Sequence, residues 1–201
     1  MKKIGILTSG GDCAGLNAAI RSIFFRAKYK YDMSVIGIKN GTSGLLQRPI
    51  DCIELTQQTF SGYLLKQGGT FLGTTNKASP IEFSSKDGKK VDQSTQIIEG
   101  YNQLGLDGLI IIGGDGSMQI LQKLAKQGGL NIVAIPKTID NDVGATDSSI
   151  GFDTAVHVAT QALDNLHSTA VSHSRSMILE VMGRDAGHIA LSAGIAGGAD
   201  V

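Results

Sequence analysis

The sequence has no tryptophan, and aromatic residues make up only 5% of its 201 residues. Proteins that bind single-stranded nucleic acid use stacked aromatic side chains, and this sequence offers few of them. An excess of either charge is also missing, because 18 basic residues balance 18 acidic ones. We therefore expect no nucleic-acid partner, since such surfaces need a basic excess. The hydrophobic fraction of 41% excludes an intrinsically disordered chain.

Cysteine and long apolar runs are scarce as well. Cys13 and Cys52 are the only cysteines, too few and too far apart for a disulfide framework or a zinc site. No stretch approaches the length of a membrane-spanning helix, and the apolar run at residues 4–8 is too short for a signal peptide. We expect a cytoplasmic protein with no membrane partner.

Short apolar runs alternate with longer segments of helical periodicity. Such runs predict strands at residues 4–8, 33–38, 107–112, 131–135 and 175–181. Helical spacing predicts helices at residues 16–30, 59–66, 94–104, 118–125, 152–166 and 186–195. Continuous apolar strands that alternate with helices indicate a mainly parallel sheet, buried on both faces. The fold class is therefore α/β, in three layers, and ligands are expected beyond the carboxyl ends of the strands.

Two glycine-rich loops follow predicted strands. In the first, TSGGD at residues 8–12, glycine lets backbone N–H groups face a phosphate, but a tight strand–helix turn is an equally good interpretation. The second, GGDGS at residues 113–117, places one acid among three glycines. Asp115 could hold Mg²⁺ while backbone amides take phosphate oxygens, and Ser117 could cap the next helix. An Asp-Gly turn with a capping serine is the simpler alternative, and the loop's position favours the functional interpretation.

Two further polar segments follow the later predicted strands. PKTIDND at residues 136–142 joins Lys137 and Thr138 to two carboxylates. Phosphorylation of an alcohol needs a base and charge neutralisation, so Asp140 or Asp142 could be the base and Lys137 could meet the phosphoryl charge. Taken by itself, a segment of this composition is more often a solvent-exposed loop of helix caps and turns than a catalytic site. After residue 181 comes MGRD, whose arginine suits phosphate recognition, although a surface ion pair is the commoner role.

The four loops together resemble the 6-phosphofructokinase family. The resemblance runs in order through the whole sequence, in KIGILTSGGD, GGTFLGTTN, GGDGS, PKTIDND, IGFDTA, EVMGRDAGHIA and IAGGAD. It implies a phosphofructokinase-like fold with a nucleotide-binding domain at residues 1–137 and the first part of a sugar-phosphate domain at 138–201. It also implies transfer of a phosphoryl group to the 1-hydroxyl of fructose 6-phosphate with Mg²⁺, by a protein that forms dimers or tetramers.

The resemblance also implies roles for individual residues. Nucleotide-binding roles fall on Gly11, Gly114, Asp115, Gly116 and Ser117, with Asp115 serving the metal. Asp140 becomes the proton acceptor, and Asp142 and Lys137 complete the catalytic group. The substrate-binding set comprises Thr138, Asp140, Arg175, Met182, Gly183 and Arg184, of which Arg175 serves a neighbouring subunit's site.

The phosphoryl donor is predicted from the residue after the metal aspartate. In this family an acidic residue there accompanies pyrophosphate, because its side chain fills the space of the α-phosphate. Gly116 leaves that space open, so ATP is predicted. Lys137 keeps pyrophosphate open as the alternative, since many ATP enzymes have glycine there. The combination resembles the mixed-substrate branch, whose members mostly use ATP.

The sequence departs from the family at three points. Asn76, with Lys77 beside it, occupies the position of an arginine in many ATP enzymes. Arg21 matches one effector-site arginine, but Phe25 and His167 replace two others, so no effector site is carried over. The third departure is length: we expect the C-terminal part of the sugar-phosphate domain to be missing after Val201.

Two other functions stay open beside a phosphofructokinase. The first is a kinase of another acceptor, because lipid and NAD kinases also use a GGDG(S/T) loop; PKTIDND and EVMGRDAG argue against it. The second is a truncated fragment that binds nucleotide with little activity.

Overall fold

The computed structural model describes residues 1–75 and 92–201 with their side chains, and the backbone of residues 83–84 and 90–91. The chain divides into two compact units, Met1–Pro136 and Lys137–Val201. The roles predicted for the two domains, nucleotide binding and sugar-phosphate binding, stay predictions. Among the described residues, no helix is both long and apolar enough to cross a membrane.

The strands are β1 Lys3–Ser9, β2 Ser34–Ile38, β3 Cys52–Glu54, β4 Phe83–Ser84, β5 Lys90–Val91, β6 Gly108–Gly113, β7 Ile132–Thr138 and β8 Ile150–Gly151. The α-helices are α1 Leu16–Tyr31, α2 Ser43–Leu46, α3 Ser94–Gln103, α4 Asp115–Gly128, α5 Phe152–His173 and α6 His188–Gly197. Two 3-10 helical turns lie at Gln57–Phe60 and Gly62–Lys66.

The main sheet has six strands in the order β3-β2-β1-β6-β7-β8. β1 pairs in parallel with β2 and β6, β6 pairs in parallel with β7, and β7 pairs in parallel with β8. Only the short β3 runs antiparallel in this sheet. The predicted α/β class with a mainly parallel, helix-flanked sheet is therefore confirmed.

The core of the N-terminal unit surrounds β1 and β6. Ile6 and Leu7, which are neighbours on β1, are both 0% exposed, so this strand is buried on both faces. A large cluster joins Leu7 and Ile111 to residues of α3 and α4, including Ile97 and Leu121. Burial of each such side chain contributes roughly 1.5–3 kcal/mol to folding, which makes the two central strands the rigid support for the loops that follow them.

The expectation of burial on both faces is wrong for β7. Ile132 packs against the large cluster, but the next two residues, Val133 and Ala134, are both exposed although they point to opposite faces. The apolar run 131–135 thus predicted the strand correctly but could not show that its middle is exposed among the described residues.

Three other predicted elements also differ. Residues 175–181 form no strand, because no described strand pairs with them; Ile178, at their centre, is 94% exposed. The segment 59–66 contains 3-10 turns rather than an α-helix. The helix predicted from 118 begins three residues earlier, at Asp115, with Gly114 as its N-cap. Ser117 therefore lies inside the first turn of α4, and the prediction that it caps the helix is wrong.

The C-terminal unit is built on α5 and α6. Ala159, Ile189 and Ala193 form its buried centre, against which residues such as Ile139 and Val181 pack. Near the end of α6, a β-carbon added to Gly197 would come within 2.6 Å of Leu163 on α5. Glycine at this position therefore permits the close approach of the two helices.

Candidate active site

The first two glycine-rich loops begin side by side at one edge of the sheet. β1 and β6 are hydrogen-bonded neighbours, and the last pair in their register is Ser9 with Gly113. The first loop leaves β1 directly after Ser9, and the second leaves β6 at Gly113. The fold of the N-terminal unit thus brings together Gly11 and the 114–117 segment, which are about a hundred residues apart in the sequence.

In the first loop, both backbone polar groups of Gly10 are held by the segment that precedes residue 76. The N–H of Gly10 donates to the carbonyl oxygen of Thr75 (3.0 Å), and the hydroxyl of Thr74 donates to the carbonyl oxygen of Gly10 (2.6 Å). Gly10 has a φ of 82°, a conformation that favours glycine. The next residue, Gly11, is exposed, and a β-carbon there would meet nothing within 4 Å. The loop is fixed at Gly10 and open at Gly11.

Two more side chains attach the same segment to this loop and to α1. The hydroxyl of Thr8, which is 0% exposed, donates to the carbonyl oxygen of Gly73 (2.7 Å). The buried amide of Asn17 binds both the carbonyl of Gln67 and the N–H of Phe71. The sequence motifs assign no such role to Thr8, Asn17 or Thr74. Their signal is weak, because each bond joins residues 50 to 65 positions apart.

Both loops lead into helices whose first N–H groups have no acceptor within the helix. The first intrahelical bonds are those of Ala19 to Gly15 in α1 and of Met118 to Gly114 in α4. The N–H groups of Asp115, Gly116 and Ser117 therefore precede the hydrogen-bonded ladder. A helix N-terminus carries a partial positive charge, so each of these termini favours negatively charged phosphate groups.

Asp115 is the carboxylate nearest to these amides in the sequence. It is exposed, and its Oδ2 accepts a hydrogen bond from Nε2 of Gln119 (2.7 Å), one helical turn further on. The bond orients the carboxylate and leaves Oδ1 for another ligand. The described residues contain no group of three or more acidic, histidine or cysteine side chains that could hold a metal. Mg²⁺ is commonly bound by one or two carboxylates together with substrate phosphates, so Asp115 fits that mode of binding.

The PKTIDND loop lies in the C-terminal unit from Lys137 onward. Lys137 is 5% exposed, whereas Asp142 is exposed and Asp140 half-buried. The hydroxyl of Thr138 accepts the N–H of Asp140 (3.1 Å), which ties the loop to the end of β7. Charged groups inside a protein are retained where polar partners hold them, so the low exposure of Lys137 marks it as a placed residue rather than a surface charge.

Asn141, between the two aspartates, closes this loop. Its φ is 52°, its Oδ1 accepts the N–H of Ser149 (2.9 Å), and its Nδ2 donates to the carbonyl of Asp147 (3.4 Å). The side chain thus bridges the two ends of a loop that contains Asp142 and directly follows Asp140. The sequence analysis did not single out Asn141, although asparagine often accompanies a positive φ.

The predicted substrate-binding residues lie on two other segments of the C-terminal unit. Met182, Gly183 and Arg184 form the turn before α6, with a φ of 155° at Gly183 and 52° at Arg184. Met182 follows Val181, and Asp140 follows Ile139; Val181 and Ile139 pack against the same small core. The fold therefore brings these two segments to one cluster. Arg175 lies elsewhere, just after α5, and is exposed.

The residues that depart from the family are placed as follows. Asn76 and Lys77 lie outside the described residues. The guanidinium of Arg21 stacks over the ring of Phe25, 4.4 Å from its centroid, a cation–π contact. Nε2 of His167 lies 2.8 Å from the carbonyl oxygen of Gly197.

The carboxyl edge of the parallel sheet carries two neighbouring glycine loops, two helix N-termini and an oriented carboxylate. This arrangement is typical of one class of proteins, the α/β proteins that bind phosphate groups at that edge. The particular family follows from comparison with known proteins. The family model described as phosphofructokinase matches residues 3–201, and the chain belongs to that family.

Curated relatives agree with this assignment. The chain is 62% identical to the ATP-dependent 6-phosphofructokinase 1 of Synechocystis sp., over 100% of this chain and 55% of the relative. It is 50% identical to the ATP-dependent 6-phosphofructokinase 3 of Bacteroides thetaiotaomicron, over 99% of this chain and 57% of the relative. The chain thus spans about half the length of the curated relatives it matches, and it resembles their N-terminal portion.

Solved structures share the fold. The phosphofructokinase of Saccharomyces cerevisiae superposes with a TM-score of 0.81 at 34% identity, covering 100% of this chain and 28% of the yeast chain. A pyrophosphate-dependent phosphofructokinase from Marinobacter aquaeolei superposes with a TM-score of 0.77 at 25% identity, covering 98% of this chain and 50% of that one.

Proposed function

We propose that the whole protein to which this sequence belongs is a 6-phosphofructokinase. It transfers the γ-phosphoryl group of ATP to the 1-hydroxyl of fructose 6-phosphate and yields fructose 1,6-bisphosphate and ADP, a step of glycolysis. The observation that carries the proposal is the match of the phosphofructokinase family model to residues 3–201. A cytoplasmic location and a homo-oligomer, dimer or tetramer, belong to the same proposal.

The nucleotide phosphates are proposed to bind at the carboxyl edge of β1 and β6. Gly11 offers an exposed backbone next to the fixed Gly10. Gly114, Gly116 and Ser117 contribute the N-terminal amides of α4, which favour negative charge. Asp115 would hold Mg²⁺, which supplies charge neutralisation on the phosphates when bound.

The sugar phosphate is proposed to bind with residues of the C-terminal unit. Asp140 accepts the proton of the 1-hydroxyl of fructose 6-phosphate. The hydroxyl oxygen of the sugar attacks the γ-phosphorus of ATP, and ADP is the leaving group. The N–H of Asp140 donates a hydrogen bond to the hydroxyl oxygen of Thr138, which holds the backbone of Asp140 in place. Lys137 meets the negative charge of the transferring phosphoryl group, and Asp142 supports the metal or the transition state. These assignments follow general acid–base logic, in which a placed carboxylate accelerates proton transfer.

Further contacts to the sugar phosphate are assigned to the turn before α6 and to Arg175. Met182, Gly183 and Arg184 form the turn that shares a core with the Asp140 segment, and arginine suits phosphate oxygens. Arg175 is exposed after α5, and we assign it to the site of a neighbouring subunit. This last role requires the proposed oligomer.

ATP is proposed as the donor because Gly116 leaves open space. Among the described residues, a β-carbon at Gly116 would meet no heavy atom within 4 Å apart from its chain neighbours. Two curated relatives that are 62% and 61% identical to the chain are named ATP-dependent. Pyrophosphate is the second candidate, because Lys137 occupies the position where pyrophosphate enzymes of the family have lysine, and one structural neighbour is named pyrophosphate-dependent.

An assay of fructose 1,6-bisphosphate formation with each donor tests the proposal. The whole protein should turn over faster with Mg·ATP than with Mg·pyrophosphate, and glucose 6-phosphate should not replace fructose 6-phosphate. Faster turnover with pyrophosphate would overturn the donor assignment alone. If neither ATP nor pyrophosphate gives product, the proposed function is overturned. The same assay on residues 1–201 alone measures how much activity this portion retains.

A further inference from the structure

Residues 67–75 are attached to the first glycine-rich loop (residues 8–12) and to α1 by hydrogen bonds from three side chains. Thr8 and Asn17 hold carbonyl and N–H groups of this segment from the side of β1 and α1. Thr74 belongs to the segment itself, and its hydroxyl donates to the backbone oxygen of Gly10 in the loop. Thr74 is therefore the side chain by which this segment acts on the loop itself.

The bond to Gly10 determines where the next N–H group points. The carbonyl of Gly10 and the N–H of Gly11 belong to one peptide unit, and in a trans peptide they point in opposite directions. The Arg48–Pro49 bond is the only cis peptide among the described residues, so the Gly10–Gly11 unit is trans. Once Thr74 holds the carbonyl of Gly10, the N–H of Gly11 faces away from residues 74–75.

Among the described residues, the position of a side chain on Gly11 is open. Gly11 is exposed, and a β-carbon at this residue would have no heavy atom within 4 Å. The second bond, from the N–H of Gly10 to the carbonyl of Thr75 (3.0 Å), fixes the preceding peptide unit as well. Two successive peptide planes are thereby set before any ligand arrives, which lowers the ordering cost of binding.

We infer that Thr74 is a positioning residue for nucleotide binding: its hydroxyl directs the N–H of Gly11 towards the phosphate groups. The inference rests on the proposed nucleotide role of this edge of the sheet. Thr74 does not touch the nucleotide in this account. It acts through Gly10, whose two backbone polar groups it holds together with Thr75.

The test uses the whole protein and compares wild type with Thr74→Val, Thr74→Ser and Ser22→Ala. Valine has the shape of threonine without the donor, and serine keeps the donor. Ser22→Ala is the matched control, because it removes another hydroxyl bond to a backbone carbonyl (2.9 Å) in the same unit. Affinity for Mg·ATP is measured by calorimetry, and affinity for adenosine, which lacks phosphates, by NMR titration.

Thr74→Val should weaken ATP affinity by about 5–10-fold, the equivalent of one hydrogen bond. Thr74→Ser and Ser22→Ala should bind ATP as the wild type does, and adenosine affinity should be the same in all four proteins. Equal ATP affinity of wild type and Thr74→Val would overturn the inference. An equal loss for ATP and adenosine would also overturn it, because that pattern indicates general damage.

A second measurement separates this inference from the proposed function. Exchange of the Gly11 amide hydrogen with solvent is followed without ligand, and Thr74→Val should accelerate it, whereas Thr74→Ser should not. If Thr74→Val does not fold, Thr74→Ala replaces it in both measurements. Wild type that binds no ATP would overturn the nucleotide role on which the inference rests. Wild type that binds ATP, with unchanged Gly11 exchange in Thr74→Val, would overturn the inference alone.

Discussion

Replacing Asn141 tests how the loop that carries the two proposed catalytic aspartates is held. Asn141 has a φ of 52°, and its side chain binds the N–H of Ser149 at 2.9 Å and the carbonyl of Asp147 at 3.4 Å. Asn141→Ala removes both bonds and puts into the left-handed region a residue that lacks the polar side chain by which asparagine tolerates it. Asn141→Gly removes the same bonds but accepts that conformation readily.

The two substitutions differ in the strain that they add. A left-handed conformation costs an ordinary residue about 1–2 kcal/mol, and the better of the two hydrogen bonds contributes about 0.5–1.5 kcal/mol. Asn141→Ala should therefore lower the free energy of unfolding by about 2–3 kcal/mol. Asn141→Gly should lower it by about 1–2 kcal/mol, from the lost bond and the greater freedom of glycine in the unfolded chain.

Ala145 provides a matched control in the same loop. It also has a positive φ, 61°, and it is exposed, so Ala145→Gly relieves strain without removing a side-chain bond. This variant should be neutral or more stable by up to about 1 kcal/mol. Chemical denaturation followed by circular dichroism measures all three variants. The reasoning fails if Asn141→Ala is as stable as Asn141→Gly, or if Ala145→Gly destabilises the chain.

Four further predictions concern single residues. Asp140→Asn should lower the turnover of the whole protein by about 10²–10⁴-fold with little change in thermal midpoint, since it removes a general base and keeps its shape; a coupled assay measures the rate. Gly116→Asp should shift the ratio of ATP-dependent to pyrophosphate-dependent turnover towards pyrophosphate, and an unchanged ratio would contradict the donor argument. Gly44→Ala should destabilise the chain by about 1–3 kcal/mol, because the added carbon meets the backbone oxygens of neighbouring segments, whereas Gly116→Ala, with open space, should not. Burial raises the pKa of the Cys52 thiol, with a smaller contribution from nearby Asp51. Alkylation of Cys52 by iodoacetamide should therefore reach its half-maximal rate at a higher pH than alkylation of free cysteine does.

The fold could be predicted from the sequence where the signal was local. Short apolar runs identified β1, β2, β6 and β7 to within a few residues, because strands that pack into a core are rich in apolar side chains. β3 was missed because it has only three residues and is not fully buried. The strand predicted at residues 175–181 is absent for a physical reason. An apolar run favours a strand, but a strand also needs a neighbouring strand to pair with.

In the candidate site as well, local features could be predicted from the sequence and long-range contacts could not. GGDGS and PKTIDND mark their strand ends by composition alone, so their positions could be predicted. Thr74, Thr8 and Asn17 could not, because their hydrogen bonds join positions that only the folded chain brings together. Asn141 lay inside a recognised motif, yet its role depends on a backbone angle that the sequence does not state.

The most direct test of the central claim is the formation of fructose 1,6-bisphosphate by the whole protein from Mg·ATP and fructose 6-phosphate, measured beside Asp140→Asn. The account predicts turnover by the wild type, faster with ATP than with pyrophosphate, and a loss of about 10²-fold or more in the variant. Absence of product from the wild type, or equal turnover by the variant, would contradict it.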